Sequence, residues 1–408
     1  MLNSKNEREL AYLVKIDNIT PIEGYDRVEL AHVGGWTVVV GKGEFKAGDT
    51  AIYFEIDSLL PAKPPFSNMD FLAKKHYKIQ TQKMCKSISQ GLLMAVSQFE
   101  GWVVQADGTV WDSNSGDHGL HTFYNDSRFL TKELEVTYAT INDNKRKAKP
   151  INKYEKMAQR HPKIFSNKFI KYLMKHDFGK KLLFIFFGKK KDKRTGWPAW
   201  VQRTDEERIE NMLFLLSSDE KWIATEKIDG SSTSFSMKRR KFGKNEFYVC
   251  SRNVVFDNPS KPCYYDTNIY IEMAQRYQIR RKMEEMLKEH PEWEWITIQG
   301  ETFGNKIQKR DYGMPNHDFR AFNLVTSDNG RWNSTIMTKF LNFYNIPTVP
   351  ILSANYSLPS TVEQLREYVD SCPSAIDGGM REGIVFRSQD GKKSFKCVSP
   401  NYLLKYHG

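Results

Sequence analysis

The excess positive charge of this 408-residue chain is confined to one internal segment, Lys145–Arg194. The segment contains 18 Lys and Arg residues against three acidic residues, whereas the rest of the chain contains 43 basic and 46 acidic residues. Its last residues belong to the run "KKKDKRTGWPAW" (189–200), whose charges, glycine and proline predict a domain boundary. Its charge suits a polyanion such as nucleic acid, but a solvated linker would have the same composition.

The length of the chain is sufficient for two or three domains, and its 40% hydrophobic and 27% charged residues are typical of a soluble globular protein. The N-terminus, "MLNSKNEREL", has no apolar signal region. The longest apolar run, Leu182–Phe187, is far shorter than the roughly 20 residues of a membrane span. The five cysteines form no C-x-x-C pair, which favours a reducing compartment. We therefore expect a cytoplasmic monomer with no membrane partner.

Short runs of β-branched and aromatic residues mark the first 140 residues as mainly β. The runs "AYLVKI", "RVELAHV", "WTVVVG" and "TAIYFEI" are separated by Asn, Pro and Gly at about ten-residue spacing, as in a small barrel or sandwich. "QGLLMAVSQF" adds a further strand. A five-stranded OB barrel fits this pattern, although periodicity alone does not separate it from other small β folds.

The chain after about residue 200 has a mixed α/β pattern. A helix is predicted behind Thr204 or Asp205 from apolar residues at spacing i, i+3, i+4 and i+7, namely Ile209, Met212, Leu213 and Leu216. A longer helix is predicted over 268–289, and another from Ser360, where Glu363 completes a capping box. The runs "WITIQGE", "FRAFNLV", "EGIVFRS" and "KSFKCVS" predict strands. Within the basic segment, "IFSNKFIKYLMKHDF" has helical spacing.

Lys227 follows a β-rich run and is followed at once by Ile-Asp-Gly-Ser-Ser. A lysine attacks only as the neutral amine, so its ordinary pKa of about 10.4 must be lowered by cations or a metal. Attack on a nucleotide phosphate also needs cations to stabilise the transition state. Other predicted strand ends supply carboxylates and cations of the required kinds: Asp229, Glu301, Glu382, Arg252 and Lys396. Each of these residues alone is more often a solvated surface residue, so only the ordered set is informative.

The ordered set resembles the motifs of the covalent nucleotidyltransferase superfamily of ATP-dependent DNA ligases, RNA ligases and mRNA capping enzymes. "EKIDG" resembles motif I, and the pair at Ser251–Arg252 resembles motif Ia. Gly300–Glu301 resembles motif III, "FRAFNL" motif IIIa, "EGIVFR" motif IV and "SFKCV" motif V. One K-x-D-G alone is common by chance, but six motifs in the family's order are highly specific.

Within the superfamily the chain is most similar to RNA ligases. DNA ligases and capping enzymes place an OB domain after motif V, whereas here the barrel-like region comes first. That order, with "ATEKIDG" and "TDEERIEN", resembles the fifth RNA ligase family, which has an N-terminal OB domain and seals nicks. The resemblance implies an all-β OB barrel at 1–141, a basic, partly helical connecting segment at 142–200, and an α+β adenylyltransferase domain of ATP-grasp-like antiparallel sheets at 201–408.

The resemblance also implies the role of each residue. Lys227 would carry AMP, and three carboxylates would hold the water of a hydrated Mg²⁺ or Mn²⁺: Asp229, Glu301 and Glu382. Lys396 would contact the α-phosphate of ATP, and Arg252 the ribose or the RNA end. Phe322 would stack on adenine, Glu226 would read its amino group, and Thr225 would line the nucleotide pocket. Arg208, in the predicted helix before motif I, is a candidate for the leaving pyrophosphate.

Motif V departs from the family's frequent K-x-K, because Val398 stands where the second lysine would be, and Lys393 is the candidate substitute. The implied reaction is adenylylation of a 5′-phosphate end and its joining to a 3′-hydroxyl in RNA. The basic segment is then better interpreted as a grip on duplex phosphates than as a linker. A DNA ligase, a GTP-using capping enzyme and a non-catalytic OB nucleic-acid-binding protein are the alternatives. The sequence leaves the physiological RNA open.

Overall fold

The structure is a computed structural model that describes residues 1–3, 7–99, 129–138, 167–174, 176–187, 197–252, 254–256 and 267–407. The chain divides into two compact units, Met1–Tyr138 with Trp197–Gly408, and Ala139–Gly196. The first unit therefore contains both the N-terminal β region and the C-terminal α/β region. In the described ranges, no helix is both long enough and apolar enough to cross a membrane.

Ten strands lie in the described part of the N-terminal region, which is the OB-fold domain predicted from the sequence. They are β1 (Ala11–Lys15), β2 (Asn18–Ile22), β3 (Tyr25–Val33), β4 (Trp36–Gly41), β5 (Thr50–Phe54), β6 (Ser58–Leu59), β7 (Thr81–Met84), β8 (Ser87–Gln90), β9 (Leu92–Ala95) and β10 (Thr137–Tyr138). Buried and half-buried residues alternate along β4, so that Trp36, Val38 and Val40 face the core. The same core contains Tyr53 and Phe54 of β5.

Among the described C-terminal residues, ten further strands form two mainly antiparallel sheets, as the sequence predicts. They are β11 (Glu207–Arg208), β12 (Lys221–Lys227), β13 (Ser231–Lys238), β14 (Glu246–Ser251), β15 (Trp295–Gly304), β16 (His317–Thr326), β17 (Gly330–Arg331), β18 (Ile351–Ser357), β19 (Gly383–Ser388) and β20 (Ser394–Val398). The first sheet has the order β11-β20-β19-β12-β18 and the second β14-β13-β15-β16-β17. Only the short β11–β20 pair is parallel among the described pairs.

Eight α-helices accompany these strands in the described part of the chain. They are α1 (Asp70–Lys74), α2 (Lys168–Leu173), α3 (Asp177–Phe187), α4 (Ile269–Arg276), α5 (Ile279–Glu289), α6 (Ser334–Phe343), α7 (Val362–Ser371) and α8 (Pro400–Tyr406). Helices α4, α5 and α6 bury their apolar faces against the second sheet. Helix α7 packs Leu365 and Val369 onto Trp222 and Phe386 of the first sheet. Helix α8 instead contributes Leu403 to the core of the OB domain.

The prediction of a helix behind Thr204 or Asp205 is wrong. The structure has β11 there, followed by two 3₁₀ turns over Ile209–Asn211 and Leu213–Ser217. The OB domain provides the physical reason, because the amide of Gly35 donates to the carbonyl of Glu210 at 2.9 Å and the indole of Trp36 donates to Asn211 at 2.8 Å. The first bond engages the backbone carbonyl of Glu210 and the second the side chain of Asn211, so both attach this stretch to the OB domain in a path that is not α-helical. The apolar residues still pack as a group.

Two other helix predictions need correction at their boundaries. The helix predicted over 268–289 is two helices, α4 and α5, because Gln278 between them has a left-handed backbone with φ of 51°. Helix α7 is capped by Thr361, whose hydroxyl accepts from the amide of Gln364 at 3.3 Å, and not by Ser360. In the basic segment, α2 lies within the stretch predicted to be helical, whereas α3 begins at the end of that stretch and was not predicted. Most of the other residues of the segment lie outside the described ranges.

Candidate active site

The two C-terminal sheets are joined at the turn that follows Lys227. Strand β12 of the first sheet ends at Lys227, and β13 of the second sheet begins at Ser231. Gly230 lies so close to β15 that a Cβ there would be 2.4 Å from the carbonyl oxygen of Thr302 and 2.9 Å from Cγ of Glu301. Glycine is therefore required in this turn, and its close approach places the Lys227–Gly230 turn against Glu301.

Lys227 forms an ion pair with Glu382. It pairs in register with Gly383 across β12 and β19, and its Nζ lies 2.7 Å from Oε1 of Glu382. Burial lowers the pKa of Lys227, but the carboxylates of Glu382, Glu301 and Asp229 outweigh burial and raise this pKa above its ordinary value. Without nucleotide or metal, Lys227 is therefore a cation, and it needs a change in its surroundings to become a nucleophile.

The three carboxylates around Lys227 repel one another. Burial raises the pKa of Glu301 to about 8; Lys227 opposes this shift, whereas Glu382 and Asp229 add to it. Burial and Asp229 likewise raise the pKa of Glu382, whose Oε2 is buried with no hydrogen-bond partner among the described residues. A divalent cation would relieve both the repulsion and the unpaired oxygen, so these residues fit a metal. Within the described ranges, no three His, Cys, Asp or Glu side chains are grouped closely enough to ligate a metal ion directly.

Asp229 is held by side chains that the sequence interpretation missed. Its Oδ2 accepts from the hydroxyl of Tyr402 at 2.9 Å and lies 3.0 Å from Nε2 of His407, while its backbone amide donates to the hydroxyl of Tyr312 at 2.7 Å. These partners lie 83 to 178 residues away along the chain. No local pattern marks them, since "NYLLKYHG" carries no motif.

Lys396 and Arg208 form a cationic wall beside Lys227. They pair in register across β20 and β11, so Arg208 lies on a strand and not on the predicted helix. Burial lowers the pKa of Lys396 to about 7, and the nearby cations Arg8, Arg208 and Lys227 contribute to this lowering. Arg208 is buried, and its Nε and Nη1 have no hydrogen-bond partner in the described structure. Such unpaired donors beside a lysine can bind an anion.

The aromatic and peripheral candidates lie around this centre. Phe322 packs in one apolar cluster with Ile228 of the Lys227 turn, so the structure brings it to the junction of the two sheets. Arg252 forms an ion pair with Asp205 at 2.7 Å, and its guanidinium carbon lies 5.3 Å from the ring centre of Tyr138. Arg252 is therefore near the edge of the OB domain.

Thr225 and Glu226 have protein partners in the structure. The hydroxyl of Thr225 donates to the carbonyl of Val385 at 3.2 Å. The carboxylate of Glu226 is buried and accepts from the hydroxyl of Ser374 and, at 2.8 Å, from the amide of Ala375. Neighbouring side chains of a strand point to opposite faces, so Glu226 faces away from the Lys227–Glu382 pair. Its contact with adenine stays a prediction.

Lys393 does not lie at the site and so cannot take the place of the second motif V lysine. It precedes β20 at the end where Ser394 pairs with Arg387, whereas Val398 pairs with Gly383 at the Lys227 end. Five residues of strand separate the two positions by about 16 Å. Lys393 is instead exposed and paired with Glu220 at 2.9 Å.

The fold and site together are those of a polynucleotide ligase of the nucleotidyltransferase type, with a lysine, three carboxylates and a cationic wall at the junction of two antiparallel sheets. Residues 220–407 match the family model described as RNA ligase, and residues 10–96 match an OB-fold domain model. Residues 220–407 therefore form an RNA ligase domain, and with the OB-fold domain that precedes it the protein is an ATP-dependent RNA ligase. A comparison with curated protein sequences gives no significant match.

Solved structures agree with this assignment over almost the whole chain. Naegleria gruberi RNA ligase with PPi is 25% identical, with a TM-score of 0.69 over 98% of this chain and 99% of that chain. A lysine-to-alanine mutant of the same ligase with ATP and Mn has a TM-score of 0.68 at 25% identity, over 98% of this chain and 99% of that one. A glutamate-to-alanine mutant with AMP and Mn has a TM-score of 0.67 at the same identity and coverage.

Proposed function

We propose that this RNA ligase forms a covalent lysyl-AMP on Lys227, transfers the AMP to a 5′-phosphate end, and joins that end to a 3′-hydroxyl at nicks in RNA-containing duplexes. The observation that carries the proposal is the 2.7 Å contact of Lys227 with Glu382 beside Glu301 and Asp229. The similar ligase structures with ATP, AMP and Mn support ATP as the nucleotide and Mg²⁺ or Mn²⁺ as the metal.

Asp229, Glu301 and Glu382 would hold the metal mainly through its water. When bound, the metal supplies positive charge that lowers the pKa of Lys227 and stabilises charge on the phosphate. Glu382 is placed to take the proton from Lys227, because its Oε1 already accepts from the ammonium and its pKa is raised. A carboxylate with a raised pKa is a better general base than an ordinary one.

In the first step, Nζ of Lys227 attacks the α-phosphorus of ATP. The N–P bond forms, the bond from the α-phosphorus to the bridging oxygen breaks, and pyrophosphate leaves. Lys396 lies beside the α-phosphate in this arrangement, and the unpaired N–H groups of Arg208 bind the leaving pyrophosphate. Phe322 stacks on adenine, Thr225 lines the pocket and Glu226 reads the adenine amino group. Positioning and charge stabilisation are the main contributions to such phosphoryl transfers.

The second and third steps use the lability of the P–N bond. A 5′-phosphate oxygen attacks the lysyl-AMP phosphorus and displaces Lys227, which leaves an adenylylated end. The 3′-hydroxyl then attacks the 5′-phosphorus, and AMP departs. Arg252 contacts the ribose or the RNA end in the proposed reaction, and its position beside Tyr138 of the OB domain supports this role. The four described cysteines carry free thiols, which suits a reducing cytoplasm. We expect the enzyme to act in that compartment and as a monomer.

The test is labelling of the protein by ATP that carries the label on its α-phosphate. Lys227→Ala should abolish labelling, whereas Lys221→Ala, at the exposed start of the same strand, should be labelled normally. Lys227→Ala should still seal a nick that is already adenylylated, because that step no longer needs the lysine. Undiminished labelling of Lys227→Ala would exclude this nucleophile.

A sealing assay defines the substrate. Nicked duplexes with ribose or deoxyribose on either side of the break should be joined only where RNA is present. GTP should not replace ATP, which separates the proposal from a capping enzyme, and equal sealing of an all-DNA nick would favour a DNA ligase. A binding protein without catalysis would release no pyrophosphate from ATP in the presence of Mg²⁺.

A further inference from the structure

Helix α8 and the residue that follows it contact the carboxylate of Asp229, which lies more than 170 residues earlier in the chain. The hydroxyl of Tyr402 and Nε2 of His407 both contact the same carboxylate oxygen, Oδ2, at 2.9 and 3.0 Å. Tyr402 is completely buried and Asp229 is 6% exposed. Two contacts on one oxygen fix the rotation of the carboxylate, since turning it would break both.

The OB domain holds helix α8 in place. Leu403 of α8 packs in the core of the OB domain, and the side-chain amide of Gln80 donates to the carbonyl of His407 at 2.7 Å. At the other end, Ser399 caps the helix by accepting from the amide of Tyr402 at 3.0 Å. One side of α8 is therefore anchored in the OB core, while Tyr402 points to the carboxylate beside Lys227.

We propose that Tyr402 and His407 are positioning residues that hold the Asp229 carboxylate for lysyl-AMP formation, and that α8 makes this alignment depend on the packed OB domain. The inference rests on the proposed function of Asp229 in holding metal-bound water. Groups that orient a metal-holding carboxylate act through that carboxylate, and their loss typically costs 10–100-fold in metal affinity or activity.

Single substitutions on α8 test the proposal. Tyr402→Phe removes the hydroxyl and keeps the ring, whose centre lies 4.6 Å from that of Tyr406. It should lower the rate of labelling at saturating ATP by roughly 10–100-fold, leave the KM for ATP unchanged, and raise the Mn²⁺ concentration needed for half-maximal rate. Tyr406→Phe, on the same helix, is the matched control and should label normally.

Two further readouts separate positioning from folding. His407→Gln, which keeps an N–H donor, should retain more activity than His407→Leu. The rise in unfolding temperature that Mn²⁺ produces in the wild type should be smaller in Tyr402→Phe, even though both proteins are folded without metal. This second readout does not depend on catalysis.

The outcomes distinguish this inference from the proposed function. Absence of labelling in the wild type overturns the proposed function, and the positioning role with it. Normal wild-type labelling with unchanged Tyr402→Phe overturns the positioning role alone. An equal loss in Tyr402→Phe and Tyr406→Phe, or a loss explained by a lower folded fraction, assigns α8 a purely structural role and also overturns it.

Discussion

The ammonium of Lys227 lies 2.7 Å from one oxygen of Glu382, and the other oxygen of Glu382 is buried with no hydrogen-bond partner in the described structure. This ion pair stabilises the protonated form of Lys227, which attacks as a neutral amine in the proposed reaction. A cation bound at the carboxylates would offset their negative charge, so that they would no longer raise the pKa of Lys227. In the proposed reaction, activation of Lys227 would therefore depend on the arrival of the metal and the nucleotide.

Glu301→Gln should stabilise the protein against unfolding at alkaline pH while impairing lysyl-AMP formation. The pKa of Glu301 is about 8 in the folded chain and about 4.5 in the unfolded chain. Between these values the unfolded chain binds fewer protons at this position, so wild-type stability falls as pH rises from 4.5 to 8. Glutamine does not titrate, so the variant does not lose stability in this way. Its unfolding temperature minus that of the wild type should therefore be a few °C larger at pH 9 than at pH 5.

Thermal unfolding without metal at pH 5 and pH 9 checks this prediction. Glu294→Gln, at an exposed position just before β15, is the control and should show no such pH-dependent gain. Mn²⁺ should stabilise the wild type more than Glu301→Gln, because the variant lacks one of the repelling carboxylates. The same difference between wild type and Glu301→Gln at both pH values would contradict the raised pKa.

Lys396→Arg should remove a pH dependence of ATP binding. The pKa of Lys396 is lowered to about 7 in the free protein, so this residue loses its charge as pH rises above 7. ATP affinity of the wild type should therefore weaken between pH 6 and pH 9, by at most tenfold per pH unit. Arginine stays protonated throughout this range.

Binding of an ATP analogue whose bridge between the α- and β-phosphates cannot be cleaved measures this effect without turnover, and it keeps Lys227, which contributes to the lowered pKa of Lys396. The comparison that matters is the slope of affinity against pH with lysine and with arginine at position 396, because ATP and the glutamates titrate equally in both proteins. If both slopes are the same, Lys396 is not the cation that ATP meets in this range.

The sequence predicts the centre of the site well because each motif residue lies in or beside a strand whose pattern is local. Lys227 and Glu382 are 155 residues apart, yet each is recognisable from its own neighbours. Tyr402 and His407 could not be predicted in this way. They reach Asp229 because α8 packs against the OB domain, and the sequence of their own segment does not indicate that packing. Long-range packing of this kind has no local signature.

The 3₁₀ turns after Arg208 illustrate the same limit. Their apolar spacing fits a helix, and the group does pack together, but the backbone carbonyl of Glu210 accepts from the amide of Gly35, and the side chain of Asn211 accepts from Trp36. Tertiary contacts override a local pattern when they bind the backbone itself. The position of Arg208 on a strand beside Lys396 therefore depends on the OB domain, about 170 residues earlier in the chain.

Arg208→Lys should impair the first step and spare the last. Lysine keeps the charge but lacks the planar group whose Nε and Nη1 are unpaired in the structure. Loss of a hydrogen bond to a charged group costs about 1.5–3 kcal/mol, so the kcat/KM for labelling by ATP should fall roughly 10–100-fold. Sealing of an adenylylated nick should be unaffected, because no pyrophosphate leaves in that step.

The matched control is Arg240→Lys, which alters an exposed arginine that is paired with Glu246. It should change neither reaction. Equal loss of labelling and of sealing in Arg208→Lys would mean that Arg208 supports the fold of the site and has no particular role toward pyrophosphate.

Removal of Lys145–Arg194 should weaken RNA binding most at low salt. Each phosphate that a cationic side chain neutralises releases counterions. The slope of log affinity against log salt should therefore become less steep. On a B-form duplex the slope changes by roughly 0.9 for every phosphate that is no longer neutralised, and we expect a similar change on an RNA-containing duplex. The measurement is the affinity for a nicked RNA-containing duplex at several NaCl concentrations. Labelling by ATP should be unchanged, which shows that the OB and adenylyltransferase regions are intact.

A second variant with glutamine at the basic positions of "KKKDKR" keeps the length of the segment and should show a smaller change in the same direction. An unchanged slope in the deletion variant would assign the segment to a linker, because 18 cationic side chains on the RNA could not be removed without reducing that dependence on salt.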